Sequence, residues 1–233
     1  MFLYLEIVDF AIMRHTVVIA IIAILAAMLL PALSAAREGA RANNCRGNLK
    51  NLGNATVLYT DSCDGWLPHA AAKIQGSTNY RYWPTCLAEG LDAQGRWDHT
   101  WYDAPQSTKV YFQCPTSISS GDAKSDRSGG VVYKHLTYQF NTLIGNEAAG
   151  TPTKPRMLHK MALPSGALMI TENDHYPDWK FSLNPAYSAD TYFGAPHGKN
   201  MNCLYTDGHV ESVVDGAYDT AEAQTGIREA LGD

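Results

Sequence analysis

Several short motifs of common enzyme and metal-site classes are missing from this sequence. Its five cysteines include no Cys-x-x-Cys pair, so a zinc ribbon or a thioredoxin-type site has no support. There is no Gly-x-Ser-x-Gly elbow, no phosphate-binding loop and no dinucleotide fingerprint. A surplus of basic residues is also lacking, because the formal net charge is -5. We therefore expect a protein that is not an enzyme and does not bind nucleic acid.

Charged residues are absent from Thr16 to Ala36, a run made mostly of Val, Ile, Leu, Ala and Met. About 20 apolar residues are enough for a helix to span a bilayer. The run is apolar on every helical face, which is not typical of a core helix in a soluble domain. The alternative is a signal peptide whose apolar region runs from Val17 to Leu30, with cleavage near the small residues that end at Ala36.

The residues after this run continue a helical pattern. Small or apolar side chains recur at steps of three and four and form one stripe, which consists of Ala42, Cys45, Leu49, Leu52, Thr56 and Tyr59. No turn residues cluster around Pro31, so the sequence predicts a helix that is kinked there and continues to about Thr60. Asp, Gly and Pro residues between positions 61 and 68 then end it.

Short strands and loops are predicted beyond the helix. We expect strands within Val131–Asn141 and Ala167–Asn173, and a surface loop at 117–130. Asn200–Val214 is predicted as a hairpin, in which Asp207-Gly208 would form a type I′ turn with positive φ at both residues.

An aromatic-rich stretch runs from Pro68 to Asp103 and includes a short helix predicted within Arg81–Leu91. Its rings either fill the core of a small domain or form a surface that binds glycans or a partner protein, with Trp97 and Trp101 as binding residues. We prefer the core interpretation, because large rings in a domain with many loops are usually buried.

An odd number of cysteines leaves at least one of them outside any disulfide within the chain. Cys45 and Cys63 would lie about 27 Å apart along one helix, which is too far for a bond. The candidate disulfide is Cys86 with Cys114, and an extracytoplasmic location would permit it.

Two parts of the sequence resemble the type IV pilin-like family. The segment VVIAIIAILAAMLLPAL at Val17–Leu33, followed by Asn43–Pro68, is similar to the N-terminal helix of type II secretion pseudopilins and prepilin-like proteins. His197, nine further residues and then Asp207-Gly208 reproduce the H-x9-DG motif that marks the C-terminal part of some of these proteins. The resemblance covers most of the chain.

The resemblance implies an α+β, pilin-like fold, in which a long kinked N-terminal helix packs on a small antiparallel sheet with loop insertions. It divides the chain into a leader-like segment at 1–15, a transmembrane and filament-core half of the helix at 16–36, an amphipathic half at 37–62 and an extracytoplasmic globular α+β domain at 63–233. The residues expected to contact membrane and filament are Val17, Ile21, Ile24, Leu25 and Pro31.

The implied function is structural. The chain would be a single-pass inner-membrane subunit with a periplasmic or extracellular globular domain, and it would assemble into a type II secretion or type IV pilus-like filament. Its partners would be membrane lipid, other pilin-like subunits, the assembly machinery and prepilin peptidase. The alternative is a secreted or membrane-tethered module that binds glycans or protein and is released or held by the apolar segment.

The predicted processing site departs from the family sequence Gly-Phe-Thr-Leu-Ile-Glu. The resemblance implies cleavage between Asp9 and Phe10 and methylation of Phe10, but Asp9 stands at the Gly position and Arg14 at the Glu position. An arginine there would repel the terminal ammonium of a neighbouring subunit. Most basic residues also follow the apolar run, which by the positive-inside rule alone would favour a cytoplasmic domain.

Calcium is the cofactor that the resemblance suggests, in a loop near the C-terminal strands. Calcium takes six to eight oxygen ligands, and Glu172, Asn173, Asp174 and Asp207 could supply some of them. The alternatives are a zinc site at His197, Asp207 and His209, and a metal hydrolase built around the first two of these residues.

Overall fold

The structure is a computed structural model of the chain and describes residues 2–73, 80–88, 91, 110–116, 137–145, 155–173, 180–181, 194–214, 216–218 and 220–232. The chain forms two compact units, Met1–Ala40 and Arg41–Asp233.

The N-terminal element is one continuous helix, α1 (Phe2–Ser62), with Pro31 inside it. The predicted continuation of the helix past this proline is therefore confirmed. Asp64 and Gly65 follow with φ of 51° and 82°, and the Gly65 N–H donates to the carbonyl of Thr60 at 2.8 Å. This left-handed pair satisfies a carbonyl of the last turn and ends the helix where the sequence predicts.

In the first unit, the apolar residues of α1 from Val17 to Leu33 are exposed on all sides. The large side chains from Val17 to Leu33 are between 52% and 71% exposed. Within the described residues, one helix is long and apolar enough to cross a membrane; its candidate span is His15–Ser62. The most apolar part of this helix has no buried residue.

In the second unit, α1 contributes its predicted stripe to the hydrophobic core. Cys45, Leu49 and Leu52 are fully buried and belong to the same apolar cluster as the sheet residues, whereas Leu58 on the opposite face is 54% exposed. A Cβ atom at Gly53 would lie 3.1 Å from Leu204 Cδ1, so the absence of a side chain lets the helix approach this strand residue closely. The apolar stripe predicted for this half of the helix is therefore part of the core.

The described part of the second unit contains two sheets and three further helices. A small antiparallel pair consists of β1 (Ala71–Lys73) and β2 (Tyr80–Tyr82). The larger sheet contains β3 (Tyr138–Asn141), β4 (Leu168–Glu172), β5 (Lys180–Phe181), β6 (Asn200–Tyr205) and β7 (Val210–Val214). The helices are α2 (Trp83–Ala88), α3 (Thr142–Gly145) and α4 (Ala221–Leu231), and single 3₁₀ turns occupy Val110–Phe112 and Leu158–Lys160.

The larger sheet has the order β5-β3-β4-β6-β7. Its neighbouring strands are antiparallel, except that β5 runs parallel to β3. All five residues of β4 are buried, as expected for a central strand with both faces covered. This arrangement confirms the α+β class and the strands predicted around positions 138, 168 and 200.

An aromatic group lies at the centre of the core. Trp83 is fully buried, and its ring centroid is 5.6 Å from those of both Phe112 and Phe140. The core interpretation of the aromatic stretch is confirmed for Trp83, while Trp97 and Trp101 lie outside the described residues.

The predicted hairpin forms between β6 and β7, but its turn differs from the predicted type I′ geometry. Among the described residues other than glycine, Asp64 alone has positive φ, so Asp207 does not. The Gly208 N–H donates to the carbonyl of Tyr205 at 2.9 Å, and Gly208 itself is left-handed, with φ of 84°. This pattern is typical of a longer hairpin connection, in which an ordinary turn is followed by one left-handed residue.

Candidate functional site

Four potential metal ligands converge from distant parts of the sequence. Cys45 lies on α1, Cys114 follows the 3₁₀ turn Val110–Phe112, Glu172 is the last residue of β4 and His197 precedes β6. One ligand atom from each of these residues lies within 4.8 Å of all the others. We call this group the Cys-Cys-Glu-His cluster.

The contacts inside the cluster are short and shielded from solvent. Cys45 Sγ donates to Cys114 Sγ at 2.8 Å, and His197 Nε2 lies 3.5 Å from Cys114 Sγ and 3.3 Å from Glu172 Oε1. Both cysteines and the Glu172 side chain are fully buried, and the His197 side chain is 5% exposed.

Neighbouring groups fix the orientation of the carboxylate and the imidazole. Asn202 donates to Glu172 through its backbone N–H at 2.7 Å and its side-chain amide at 3.2 Å. Thr116 Oγ1 lies 3.4 Å from His197 Nδ1, the ring nitrogen that faces away from the carboxylate. The register that pairs Thr171 with Cys203 brings Glu172 beside Asn202, so the central strands set this geometry.

Burial makes isolated negative charge unfavourable in the cluster. It raises the pKa of the Glu172 carboxyl, and the hydrogen bond with His197 offsets part of that rise. The pKa of the Cys45 thiol is raised by its hydrogen bond to Cys114 and then by burial. A raised pKa favours the protonated thiol, which is a poorer nucleophile than the thiolate.

The cysteine partners differ from those predicted. Among the described residues no disulfide joins Cys86 to Cys114, because Cys114 faces Cys45 in the core while Cys86 lies on α2. The predicted Cys86–Cys114 pairing is therefore replaced by a contact between two thiols on α1 and the segment after Phe112.

The predicted calcium ligands are not brought together. Glu172 lies beside Asn202 near the start of β6, whereas Asp207 lies beyond the other end of that strand. Three strand residues, Cys203–Tyr205, and then the turn separate the two positions, which places them at least about 10 Å apart. Asp174 lies outside the described residues.

The predicted zinc set is also divided. Asp207 accepts hydrogen bonds from the backbone and the ring of His209 at the exposed β6–β7 turn. His197 lies at the opposite end of β6 and contacts Glu172 instead. The structure therefore does not bring His197 and Asp207 together as a pair, and the two ends of the H-x9-DG motif lie in different parts of the fold.

The Asp207-Gly208 end of the motif is a turn whose hydrogen bonds are local. Burial alone would raise the pKa of the Asp207 carboxyl, but its backbone and side-chain hydrogen bonds with His209 lower it. Lys50 Nζ on α1 donates to the carbonyl of Gly208 at 2.8 Å, which ties the helix to the turn. The hydrogen bonds of Asp207 and Gly208 therefore connect the turn to His209 and to α1.

Replacing Gly208 with alanine should destabilise the protein by about 1–2 kcal/mol, because an L-residue is strained at its φ of 84°. No atom lies within 4 Å of the added Cβ, so steric overlap does not contribute. Gly47→Ala is the matched control: its Cβ also meets open space, but in a helix, and the change should stabilise by about 0.5–1 kcal/mol. Urea unfolding of both variants measures the difference in their stability. Equal midpoints would contradict the requirement for a left-handed residue at Gly208.

The members of the Cys-Cys-Glu-His cluster could not be grouped from their spacing. The two cysteines are separated by 69 positions and the glutamate and histidine by 25, unlike the short spacings that mark zinc motifs. Cys45 was predicted as a stripe residue, Cys114 as a disulfide partner and Glu172 as a calcium ligand. Cys45, Cys114 and Glu172 are all fully buried. Burial is unusual for a glutamate and would have marked Glu172 as a candidate ligand, but the sequence alone does not show which residues are buried.

Comparisons of this chain with models of protein families, with curated proteins and with solved structures find no match. Its function must then be inferred from three features of its own: a membrane-length apolar helix half, an amphipathic half within the core, and the buried Cys-Cys-Glu-His cluster.

Proposed function

We propose that this chain is a pilin-like subunit, anchored in the inner membrane by α1 and assembling into a type II secretion or type IV pilus-like filament. The observation that carries the proposal is the division of one continuous helix, Phe2–Ser62, into two halves with opposite surroundings. Residues 16–36 expose apolar side chains in every direction, whereas the stripe from Cys45 to Thr56 is buried in the globular unit.

This division suits a subunit that exchanges one apolar environment for another. A helix that is apolar all round needs lipid or other apolar helices around it. The buried stripe meanwhile keeps the C-terminal half attached to the globular unit, whichever environment the first half occupies. The family resemblance of Val17–Leu33 and of the His197–Gly208 motif supports a filament as the second environment.

The role that we infer is structural rather than catalytic. The Cys-Cys-Glu-His cluster is the site with the richest chemistry among the described residues, yet three of its side chains are fully buried and the fourth is 5% exposed. A substrate would have to displace core residues to reach it. Burial of this kind fits a site that supports the fold.

The double substitution Ile21→Arg with Ile24→Arg should remove the protein from the membrane fraction. Each arginine near the centre of a spanning helix costs about 2.5–3.5 kcal/mol on insertion scales. Membranes from cells that express the full chain would be washed with salt and carbonate, and the retained protein measured by immunoblot. Amine-reactive crosslinking of whole cells would report the ladder of subunits expected for a filament.

The matched control is Ile21→Leu with Ile24→Leu, which keeps the segment apolar and should preserve both membrane retention and the ladder. If the arginine variant still gives the ladder, the apolar half is not the assembly surface. If the wild type is retained in membranes but gives no ladder, the result would support membrane anchoring and contradict filament assembly.

The intact mass of the protein from its native membrane separates the subunit from the secreted binding module. A filament subunit must keep the apolar run, so its first residue should lie at or before Phe10. A mature chain that starts near Ala36 would mean that the run is a cleaved signal peptide, and the filament proposal would fail.

A further inference from the structure

We propose that Cys45, Cys114, Glu172 and His197 bind one zinc ion in a closed tetrahedral site that fastens α1 to the sheet. This site does not depend on membrane anchoring or filament assembly. It would be a structural centre within the second unit.

Two of the distances within the cluster fit a tetrahedron around zinc. Zinc bonds of about 2.3 Å to sulfur and about 2.0–2.1 Å to nitrogen or oxygen place sulfur and nitrogen about 3.6 Å apart, and nitrogen and oxygen about 3.4 Å apart. The corresponding separations are 3.5 Å from His197 Nε2 to Cys114 Sγ and 3.3 Å from His197 Nε2 to Glu172 Oε1.

The two sulfur atoms are closer together than zinc requires. Cys45 Sγ and Cys114 Sγ are 2.8 Å apart, whereas two thiolates on one zinc ion lie about 3.8 Å apart. Zinc binding would therefore separate the sulfur atoms by about 1 Å. The proposal therefore requires the two buried cysteine side chains to move apart when zinc binds.

The ligand types favour zinc over calcium. Two thiols and an imidazole are soft or intermediate ligands of the kind that zinc takes in structural sites, usually with four protein ligands and no open position. Calcium requires six to eight oxygen ligands, and this cluster offers a single carboxylate. A buried carboxylate such as that of Glu172 is normally paired with another charged group or bound to a metal.

Outer contacts hold two of the four ligands in position for a metal. Asn202 holds the carboxylate of Glu172 with two hydrogen bonds, and Thr116 lies beside the remaining ring nitrogen of His197. Ligands of metal sites typically have such partners, which fix the ring orientation and the tautomer of a histidine.

The site would join segments that are far apart in the sequence. Cys45 is on the helix and Glu172 on the central strand β4, while Cys114 and His197 lie on connecting segments. Metal bonds that close long loops reduce the conformational freedom of the unfolded chain. Near one side of the cluster, Asn48 of α1 also donates to the carbonyl of Gln113 at 3.2 Å, so this part of the helix already faces the Cys114 segment.

The test is the metal and thiol content of the full chain, purified in detergent without chelator. We expect about one zinc ion per chain by mass spectrometry, and all five thiols reactive with a thiol reagent after denaturation with chelator. A metal-free protein in which two thiols are missing and peptide mapping finds a Cys45–Cys114 disulfide would overturn the proposal. A metal-free protein with all thiols that fails to take up added zinc would also overturn it, as would stoichiometric iron or copper.

Two substitutions within the cluster and two outside it locate the metal. Cys114→Ser and His197→Ala should each lower zinc retention at least about tenfold. Cys203→Ala removes a buried cysteine outside the cluster, and Asp207→Ala removes the acidic residue of the turn; both should retain zinc. Loss of zinc only in the Asp207 variant would overturn the assignment.

A measurement on the unchanged protein covers the case in which a cluster variant does not fold. Zinc would be replaced by cobalt through chelation and dialysis of the wild-type chain. Tetrahedral cobalt with two thiolates should give strong visible absorption together with sulfur-to-cobalt charge-transfer bands in the near ultraviolet. Weak absorption typical of six oxygen or nitrogen ligands would overturn the site.

Discussion

Replacing Leu52 with aspartate is expected to unfold most of the globular unit, whereas Leu58→Asp should leave it folded. Leu52 is fully buried in the core cluster, and an aspartate there would be an unpaired charge in an apolar environment. The expected loss is more than about 4 kcal/mol, which is a large part of the total stability of a typical domain. The full chain in detergent, unfolded with urea and followed by tryptophan fluorescence, gives the measurement.

Leu58 provides a matched control on the same helix. It is 54% exposed, so aspartate there should change the free energy of unfolding by less than about 1 kcal/mol, mostly through lower helix propensity. If both variants lose the same stability, the stripe on α1 is not attached to the core as the structure has it. If neither does, the helix and the sheet fold independently of each other.

The extent and the buried face of the helix could be predicted because both depend on local pattern. The stripe that includes Cys45, Leu49 and Leu52 follows the helical period, and a period of this length specifies one face without knowledge of the partner. The end of the helix at Asp64 and Gly65 could be predicted because Gly, Asn and Asp adopt the left-handed conformation more readily than other residues. The strand of Ala167–Asn173 was visible as a short apolar run for the same reason.

The turn of the hairpin shows where local pattern is insufficient. Asp-Gly between two strands favours a two-residue type I′ connection, but Thr206 and His209 also lie outside the strands in the structure. The Asp207 carboxylate accepts the His209 N–H, which stabilises the longer connection. A hydrogen bond of this kind can favour a longer connection over the two-residue turn, and whether it forms depends on the tertiary structure.

The C-terminal helix, Ala221–Leu231, was not predicted although local signals mark both ends. The Thr220 side chain accepts a hydrogen bond from the Ala223 N–H at the start, and Gly232 is left-handed at the end. Its buried residues Ile227, Ala230 and Leu231 supply the apolar face. This element could have been found from the sequence, unlike the Cys-Cys-Glu-His cluster, whose members meet only through the tertiary fold.

Trp83→Ala should destabilise the protein by about 3–5 kcal/mol, because it leaves a large cavity in the centre of the core. Trp83 is fully buried and contacts the rings of Phe112 and Phe140 at centroid distances of 5.6 Å. Since the change removes a fluorophore, far-ultraviolet circular dichroism should follow the urea unfolding. The urea concentration at the midpoint is expected to fall, while the slope of the unfolding free energy against urea concentration stays the same. This combination indicates a change in stability alone.

Two further variants separate core packing from a binding role for this aromatic stretch. Trp83→Phe keeps one ring between its neighbours and should lose less stability than the alanine variant. Leu163→Ala removes a side chain that is 56% exposed and should shift stability by less than about 0.5 kcal/mol. A Trp83→Ala protein as stable as the wild type would mean that the ring is not required for packing, and the glycan- or protein-binding hypothesis for this stretch would regain support. A loss in the expected range would mean that any ligand-binding test must be directed at aromatic residues other than Trp83, because its contribution is to the core.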